Sequence, residues 1–274
     1  MALQIQPQDK TVTANGLKLH YLDWGAPGNP PMVLLHGLTF DRTTWRPIVE
    51  RLGDDVRTLA IDLPAHGDTG GPPCSLWEAA ALVHDLVRDL GIERPIVVGH
   101  SISGAIASIY GASYPVLGVV NVDQTVDVRP FAQLLRSLEP ALKGPSFAAA
   151  FAPIQESMGL DRVPEPLRSQ VLATQDVRSD VVLGYWDELM RTDPDDMQAR
   201  VEHVMHSSHV PYLAVFGRVL APAERDYLVD WVAGVQIDQW PGSGHFVHLV
   251  DVDRFTKRLR VFIEFCAHEQ PVRP

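Results

Sequence analysis

The chain has 274 residues, with 23 Lys plus Arg against 34 Asp plus Glu and so a net charge of −11. Apolar residues make up 46% and charged residues 21%, which fits a folded globular protein and excludes a disordered or collagen-like chain. The acidic balance, with no basic stripe to offset it, argues against nucleic acid or an anionic membrane as the main partner and leaves a small molecule.

The length suits one large domain, or a core with an insertion, and suffices to bury a core without staples. Two cysteines, Cys74 and Cys266, make neither a disulfide framework nor a Cys-x-x-Cys zinc site. No metal or other cofactor is expected. Residues 1–10 are polar, without the apolar core of a signal peptide, and no apolar run approaches the ~20 residues of a membrane span. A cytoplasmic protein, monomeric or homodimeric, is the expectation.

In chain order, short β-rich runs occupy residues 17–22, 32–35, 56–61, 95–98, 118–122, 212–216 and 235–237. Several lack polar alternation, as strands covered on both faces do. The first two are expected to form an antiparallel edge. Helical patterns lie between them. The clearest is 77–90, with Leu82, Leu86 and Leu90 at i, i+4, Ser75 and Glu78 at capping-box spacing and Gly91 as a stop. Further helices are expected after Ser101, after Pro222 and over 251–265. Strands alternating with helices imply a mostly parallel sheet with helices on both faces. The rhythm breaks over residues 127–208, where Pro130, Pro140, Pro145, Pro153, Pro164, Pro166 and Pro194 predict a stretch chopped into short helices. The chain therefore divides into a first core part (1–126), a helical cap insertion (127–208) and a second core part (209–274).

The chemistry centres on Ile96-Val97-Val98-Gly99-His100-Ser101-Ile102-Ser103-Gly104. A nucleophile elbow needs a strand, a sharp turn that exposes the Ser oxygen, and a helix with small neighbours. Gly-x-Ser is expected about once by chance in a chain this long. It occurs three times, and only Ser101 lies between a β-branched run and a helical pattern. The second glycine expected after the nucleophile is replaced by Ser103. The run 32–35 ends in His36-Gly37-Leu38, where a glycine lets the chain turn an N–H toward a developing oxyanion. Leu38 and Ile102 are the two candidate amide donors. The base is expected late in the chain, and Gly242-Ser243-Gly244-His245-Phe246 presents His245; His248 competes. Metal binding by His203, His206 and His209 is disfavoured, because zinc pairs on a helix prefer i, i+4 and Val204 and Met205 look like the packed face.

These pieces together resemble the α/β-hydrolase family over nearly the whole chain: His36-Gly37-Leu38, Asp62-Leu63-Pro64-Ala65-His66-Gly67, the elbow at Ser101, and Gly244-His245-Phe246. The resemblance implies an eight-stranded, mostly parallel sheet and a Ser, acid, His triad in that chain order, with Asp62 structural. The acid departs from the family's common position. The loop after the next-to-last strand reads Phe216-Gly217-Arg218-Val219-Leu220, with Val219 and Leu220 where an Asp is usual. The other place the family allows is the end of the strand after the elbow helix, where Asp123 stands. Asp123 is the expected acid, Asp127 the reserve, and a residue after the later strand, such as Glu224 or Asp226, stays open. Substrate contacts are expected from His36, Phe40, His100, Val219 and Phe246 beside these motifs. From the insertion, Phe131, Phe151 and Trp186 are the expected contacts, with Leu134, Leu135, Phe147, Tyr185 and Met190 as further apolar candidates.

The activity so implied is a serine hydrolase of esters or lactones with apolar groups. A Ser at the elbow argues against the branches that use a carboxylate nucleophile. The acid's position also resembles lactone hydrolases and cofactor-free dioxygenases of this fold, so a His245–Asp123 base without hydrolysis stays open, as does an inactive binding protein.

Overall fold

Backbone pairing joins the seven β-rich runs and one further strand into one eight-stranded sheet in the computed structural model, which describes residues 7–26 and 30–268. Residues 1–6, part of the segment judged to lack a leader, lie outside the described residues. The strands are β1 (Gln8–Ala14), β2 (Leu17–Trp24), β3 (Met32–Leu35), β4 (Thr58–Ile61), β5 (Ile96–His100), β6 (Gly118–Val122), β7 (Tyr212–Phe216) and β8 (Gln236–Gln239). Their spatial order is β1-β2-β4-β3-β5-β6-β7-β8. All pairs from β4 to β8 are parallel, while β2 runs antiparallel to both β1 and β4.

That order corrects the expected edge. β2 does not pair with β3. It pairs with β1, whose sequence Gln-Asp-Lys-Thr-Val-Thr-Ala carries no apolar run. Edge strands are commonly kept polar, and the two-residue Asn15-Gly16 turn, both at positive φ, sets the β1–β2 register, so β1 left no hydrophobic signal.

Eleven α-helices lie among the described residues. Before β6 come α1 (Arg46–Leu52), α2 (Leu76–Asp89) and α3 (Ile102–Ser113). Between β6 and β7 come α4 (Arg129–Leu142), α5 (Phe147–Ser157), α6 (Leu167–Leu172), α7 (Ser179–Arg191) and α8 (Pro194–Ser207). After β7 come α9 (Pro222–Trp231), α10 (Val247–Val250) and α11 (Val252–His268). None is long and apolar enough to cross a membrane. The capping box of α2 forms as its spacing predicts: Glu78 N–H donates to Ser75 Oγ at 3.2 Å and Ser75 N–H to Glu78 Oε2 at 2.8 Å. Its buried seam, however, is Ala79, Ala80, Val83, Leu86 and Val87, with Leu82 and Leu90 only half-buried. Pro140 and Pro153 sit inside α4 and α5 rather than ending them.

Strand side chains alternate between two apolar layers. Val33 and Leu35 of β3 join the layer of α2 and α3, and Met32 and Leu34 join the layer of α1 and α11. The first layer continues into the helices between β6 and β7 through Leu135, Phe151, Trp186, Val204 and Met205. Those helices are also stitched to the loops at the strand ends. Asp176 N–H donates to Thr39 O at 2.8 Å, Tyr185 Oη–H to Pro64 O at 3.0 Å, and the Arg178 guanidinium to Ala65 O. A third apolar cluster of Phe40, Val163, Val171, Phe246 and Leu249 joins the same parts.

Asp62, at the end of β4, is fully buried. One oxygen accepts Arg42 N–H at 2.7 Å; the other accepts Asp68 N–H at 2.9 Å and the Arg42 guanidinium. Arg42 also reaches Asp9 on β1 and Asp68. Removing one partner of a buried ion pair costs about 3–5 kcal/mol, a large part of a domain's 5–15 kcal/mol. Arg42→Met is therefore expected to lower stability by roughly that 3–5 kcal/mol, measured by urea unfolding of the purified protein.

Candidate active site

Ser101 leaves β5 with φ 56° and ψ −133°, a conformation that costs a non-glycine residue on the order of 1–3 kcal/mol. Backbone contacts hold it there. Ser101 N–H donates to Val122 O at 2.9 Å on the neighbouring strand, and Gly104 N–H donates to Ser101 O at 2.6 Å. Gly99 has no alternative: a Cβ there would stand 1.8 Å from Ser103 O. Ser103, the departure from the expected glycine, is fully buried and donates its hydroxyl to His36 O at 2.5 Å. It ties the elbow helix to the end of β3. Gly104 has its own reason, since a Cβ there would meet Asn121 Oδ1 and Gln124 Cβ at 2.7 Å.

Gly37 lies against the elbow as well. Its Cβ would be 2.8 Å from His100 Nδ1 and 3.4 Å from Ser101 Cβ. The chain after Gly37, beginning with Leu38, therefore passes beside Ser101. Ile102 opens α3, where a helix's first N–H groups have no intrahelical acceptor. Leu38, Ser101 and Ile102 all line one cavity of about 1270 Å³.

Asp123 follows β6 directly, also with φ 56°. Its N–H donates to Val215 O at 2.9 Å. Its Oδ1 accepts Gly217 N–H at 2.9 Å, and its Oδ2 accepts His245 Nδ1–H at 2.8 Å. The other carboxylates are engaged elsewhere. Asp127 pairs with Arg129 at 2.8 Å, Glu224 with Arg218 at 2.6 Å, and Asp226 lies nearest Arg225 at 3.9 Å. His245 N–H donates to Met158 O at 3.1 Å, and its carbonyl accepts His100 Nε2–H at 2.9 Å. A Cβ on Gly217 would lie 1.8 Å from Gly244 O, so the loops after β7 and β8 touch backbone to backbone. His248, the competing base, is buried beside Trp45 and His100 with ring centroids 4.7 and 4.5 Å away.

The cavity takes in most expected contacts and excludes three. Phe40, His100, Phe131, Trp186 and Phe246 line it along with Ser101, Asp123 and His245. His36 does not: it is fully buried with both ring nitrogens on backbone groups, Nδ1–H donating to Gly37 O at 2.9 Å and Nε2 accepting Leu63 N–H at 3.1 Å. Phe151 stands behind the wall, stacked on Phe147 and 5.8 Å from Trp186. Val219 points into solvent, 64% exposed. Cys74, Met158, Arg162 and Gln124 also line the cavity without any pattern in the sequence marking them. Tyr185 and Met190, candidates from the insertion, belong to the wall; Leu134 is exposed.

The comparisons bear on family and fold. The profile of the alpha/beta hydrolase family matches residues 32–258, and the chain belongs to that family. A probable serine hydrolase from Drosophila melanogaster is 31% identical over 107 residues, which span 36% of this chain and 32% of that protein. A hydrolase from Pseudomonas aeruginosa superposes with a TM-score of 0.77 at 18% identity over 93% of this chain and 98% of its own. The enol-lactonase from Burkholderia xenovorans superposes with a TM-score of 0.74 at 21% identity over 93% and 100%. At these identities the two structures share the fold.

Burial keeps the neighbouring histidines neutral. Desolvation, opposed in part by the bond to Gly37 O, takes His36 down to about 4. Desolvation and the His36 ring take His66 to about 3, and desolvation takes His248 to about 3. His100 is driven well below the usual imidazole value by burial and by His248 and His245. In the unfolded chain these side chains titrate near 6.5. Above that pH both states are neutral and nothing is gained or lost. Below it the unfolded chain takes up protons that the folded chain refuses. Stability should then fall by roughly 1.4 kcal/mol per pH unit for each such histidine. Urea unfolding from pH 7 to pH 5 should show the loss, and His248→Gln should make the slope shallower.

Proposed function

We propose that the protein is a serine hydrolase cleaving a carboxylic ester or lactone of an apolar small molecule. The observation that carries this reading is the 2.8 Å hydrogen bond between Asp123 and His245 in the same cavity as the strained elbow Ser101. Ser101 is the nucleophile, His245 the general base and Asp123 the acid that orients it. With Nδ1–H given to Asp123, the basic nitrogen of His245 is Nε2.

In the reaction Ser101 Oγ attacks the carbonyl carbon and its proton passes to Nε2. The negative charge that forms on the carbonyl oxygen is met by the N–H groups of Leu38 and Ile102. Collapse breaks the carbon–oxygen bond, and the leaving alkoxide takes the proton from Nε2. Water then attacks the acyl-enzyme with His245 again as base, restoring Ser101 and releasing the acid. The helices of residues 127–208 serve as a cap. Phe131, Trp186 and Met190 from that segment line the cavity together with Phe40 and Phe246 from the core, and this apolar lining suits an apolar acyl or ring system.

The test is intact-mass labelling with a fluorophosphonate. Wild type should take one adduct and Ser101→Ala none. Asp123→Asn should label about 10³–10⁴-fold more slowly, as expected when the histidine loses its orienting carboxylate. Asp127→Asn and Asp226→Asn should label like wild type. An unlabelled but folded wild type that consumed oxygen with a hydroxyquinolone would overturn the hydrolase reading in favour of a His245–Asp123 base acting without an acyl-enzyme.

A further inference from the structure

The cavity wall carries five cationic side chains, and four are already paired. Lys143 pairs with Glu139, Arg191 with Asp187, Arg200 with Glu188 and Arg218 with Glu224. Arg162 has no carboxylate partner among the described residues. Its side chain is exposed at the cavity but held in place. A Cβ on Gly159 would lie 3.3 Å from its Nε, and a Cβ on Gly244 would lie 3.1 Å from its Cδ and Nη1. The guanidinium thus packs along two positive-φ glycines that leave it room. Among the described residues its guanidinium makes one hydrogen bond, from Nη1 to Gly242 O at 3.3 Å, which leaves most of its five N–H donors unused.

Extending the hydrolase reading and resting on it, we propose that Arg162 is the specificity residue for a carboxylate carried on the leaving-group half of the substrate. The side follows from the chemistry. His245 Nε2 returns its proton to the leaving alkoxide, so the groups packed on the His245 loop face the leaving group, and Arg162 packs on Gly244, the residue before His245. The charge follows from the count. One free guanidinium balances one negative charge, and its planar fork matches a carboxylate. A phosphate dianion would call on further cations, and the others that line the cavity are already neutralised by Glu139, Asp187, Glu188 and Glu224. The preferred substrate is therefore an ester with an apolar acyl group whose alcohol or phenol portion bears a carboxylate.

The test uses 3- and 4-acetoxybenzoate and their methyl esters. All four transfer the same acetyl group to Ser101, and the pairs differ in the distal charge. Wild type should prefer the acid of at least one pair. Arg162→Met should lower kcat/KM for that acid about ten-fold or more, the size of one charge-assisted contact, and leave its methyl ester within about two-fold. Arg162→Lys should retain part of the preference. Calorimetric affinity for 3- and 4-hydroxybenzoate, against their methyl esters, reads the same site without turnover and should weaken in parallel. Arg162-dependent hydroxybenzoate binding by a protein that hydrolyses none of the esters would sustain the site and sink the hydrolase reading. Ser101-dependent turnover with an acid-to-ester ratio and hydroxybenzoate affinity unchanged by Arg162→Met would sink the site and sustain hydrolysis. Wild type with neither acid preference nor hydroxybenzoate binding would overturn the site as well.

Discussion

A single carboxylate gathers the ends of three strands. Asp123 follows β6, binds the backbone after β7 through Gly217 N–H, and binds the loop after β8 through His245. Its own N–H is tied to β7. Each such bond contributes only about 0.5–1.5 kcal/mol, and more when one partner is charged, yet together they leave the imidazole one orientation. The parallel register supplies the rest. β5 and β6 pair His100 with Val122, so the residues that follow, Ser101 and Asp123, emerge side by side at one sheet edge. Both carry φ 56°, so the candidate nucleophile and the candidate acid both stand on backbone turned out of the allowed strand region.

The surroundings hold that strained edge by sterics and neutral polarity rather than by ion pairs. Gly37, Gly99 and Gly217 let backbone approach backbone or ring where any Cβ would collide. His36, His66 and His100 are each fixed by a carbonyl or an amide on an adjoining loop. A neutral imidazole can donate from one nitrogen and accept at the other, which suits a crowded set of loop ends. Protonating such a ring would turn its acceptor nitrogen into a donor and set a charge where desolvation is severe.

What could be read from the amino acids divides along a physical line. The elbow, the Leu38 turn and the His245 loop were legible because each depends on small residues at fixed spacing beside an apolar run. Asp123 was legible as a strand-end acid, although only the resemblance singled it out over Asp127, Glu224 and Asp226. β1 was not legible, because an edge strand held by backbone bonds has no need of an apolar pattern. The pairing of β2 was not either, because neighbours in the sheet are not neighbours in sequence. Phe131, Phe151 and Trp186 stood out as large apolar residues of the insertion, but which of them meets the cavity depends on how α4, α5 and α7 face one another. Arg162 follows the same rule, since its position comes from a short turn docking on Gly244, and no local pattern encodes that.

The stitching between the α4–α8 segment and the strand-end loops bears on how this scaffold could diversify. Thr39, Pro64 and Ala65 give their carbonyls to that segment, and His245 gives it an N–H. The segment is thus no detachable module: a transplanted replacement from another protein would arrive without the donors and the acceptor that seat those loops. The shape of the cavity is then easier to change by single substitutions on the inner wall, at positions such as Met190 or Val201, than by recombination of whole segments. The same stitches make wholesale lifting of these helices costly, so what the cavity admits is set by the side chains that line it.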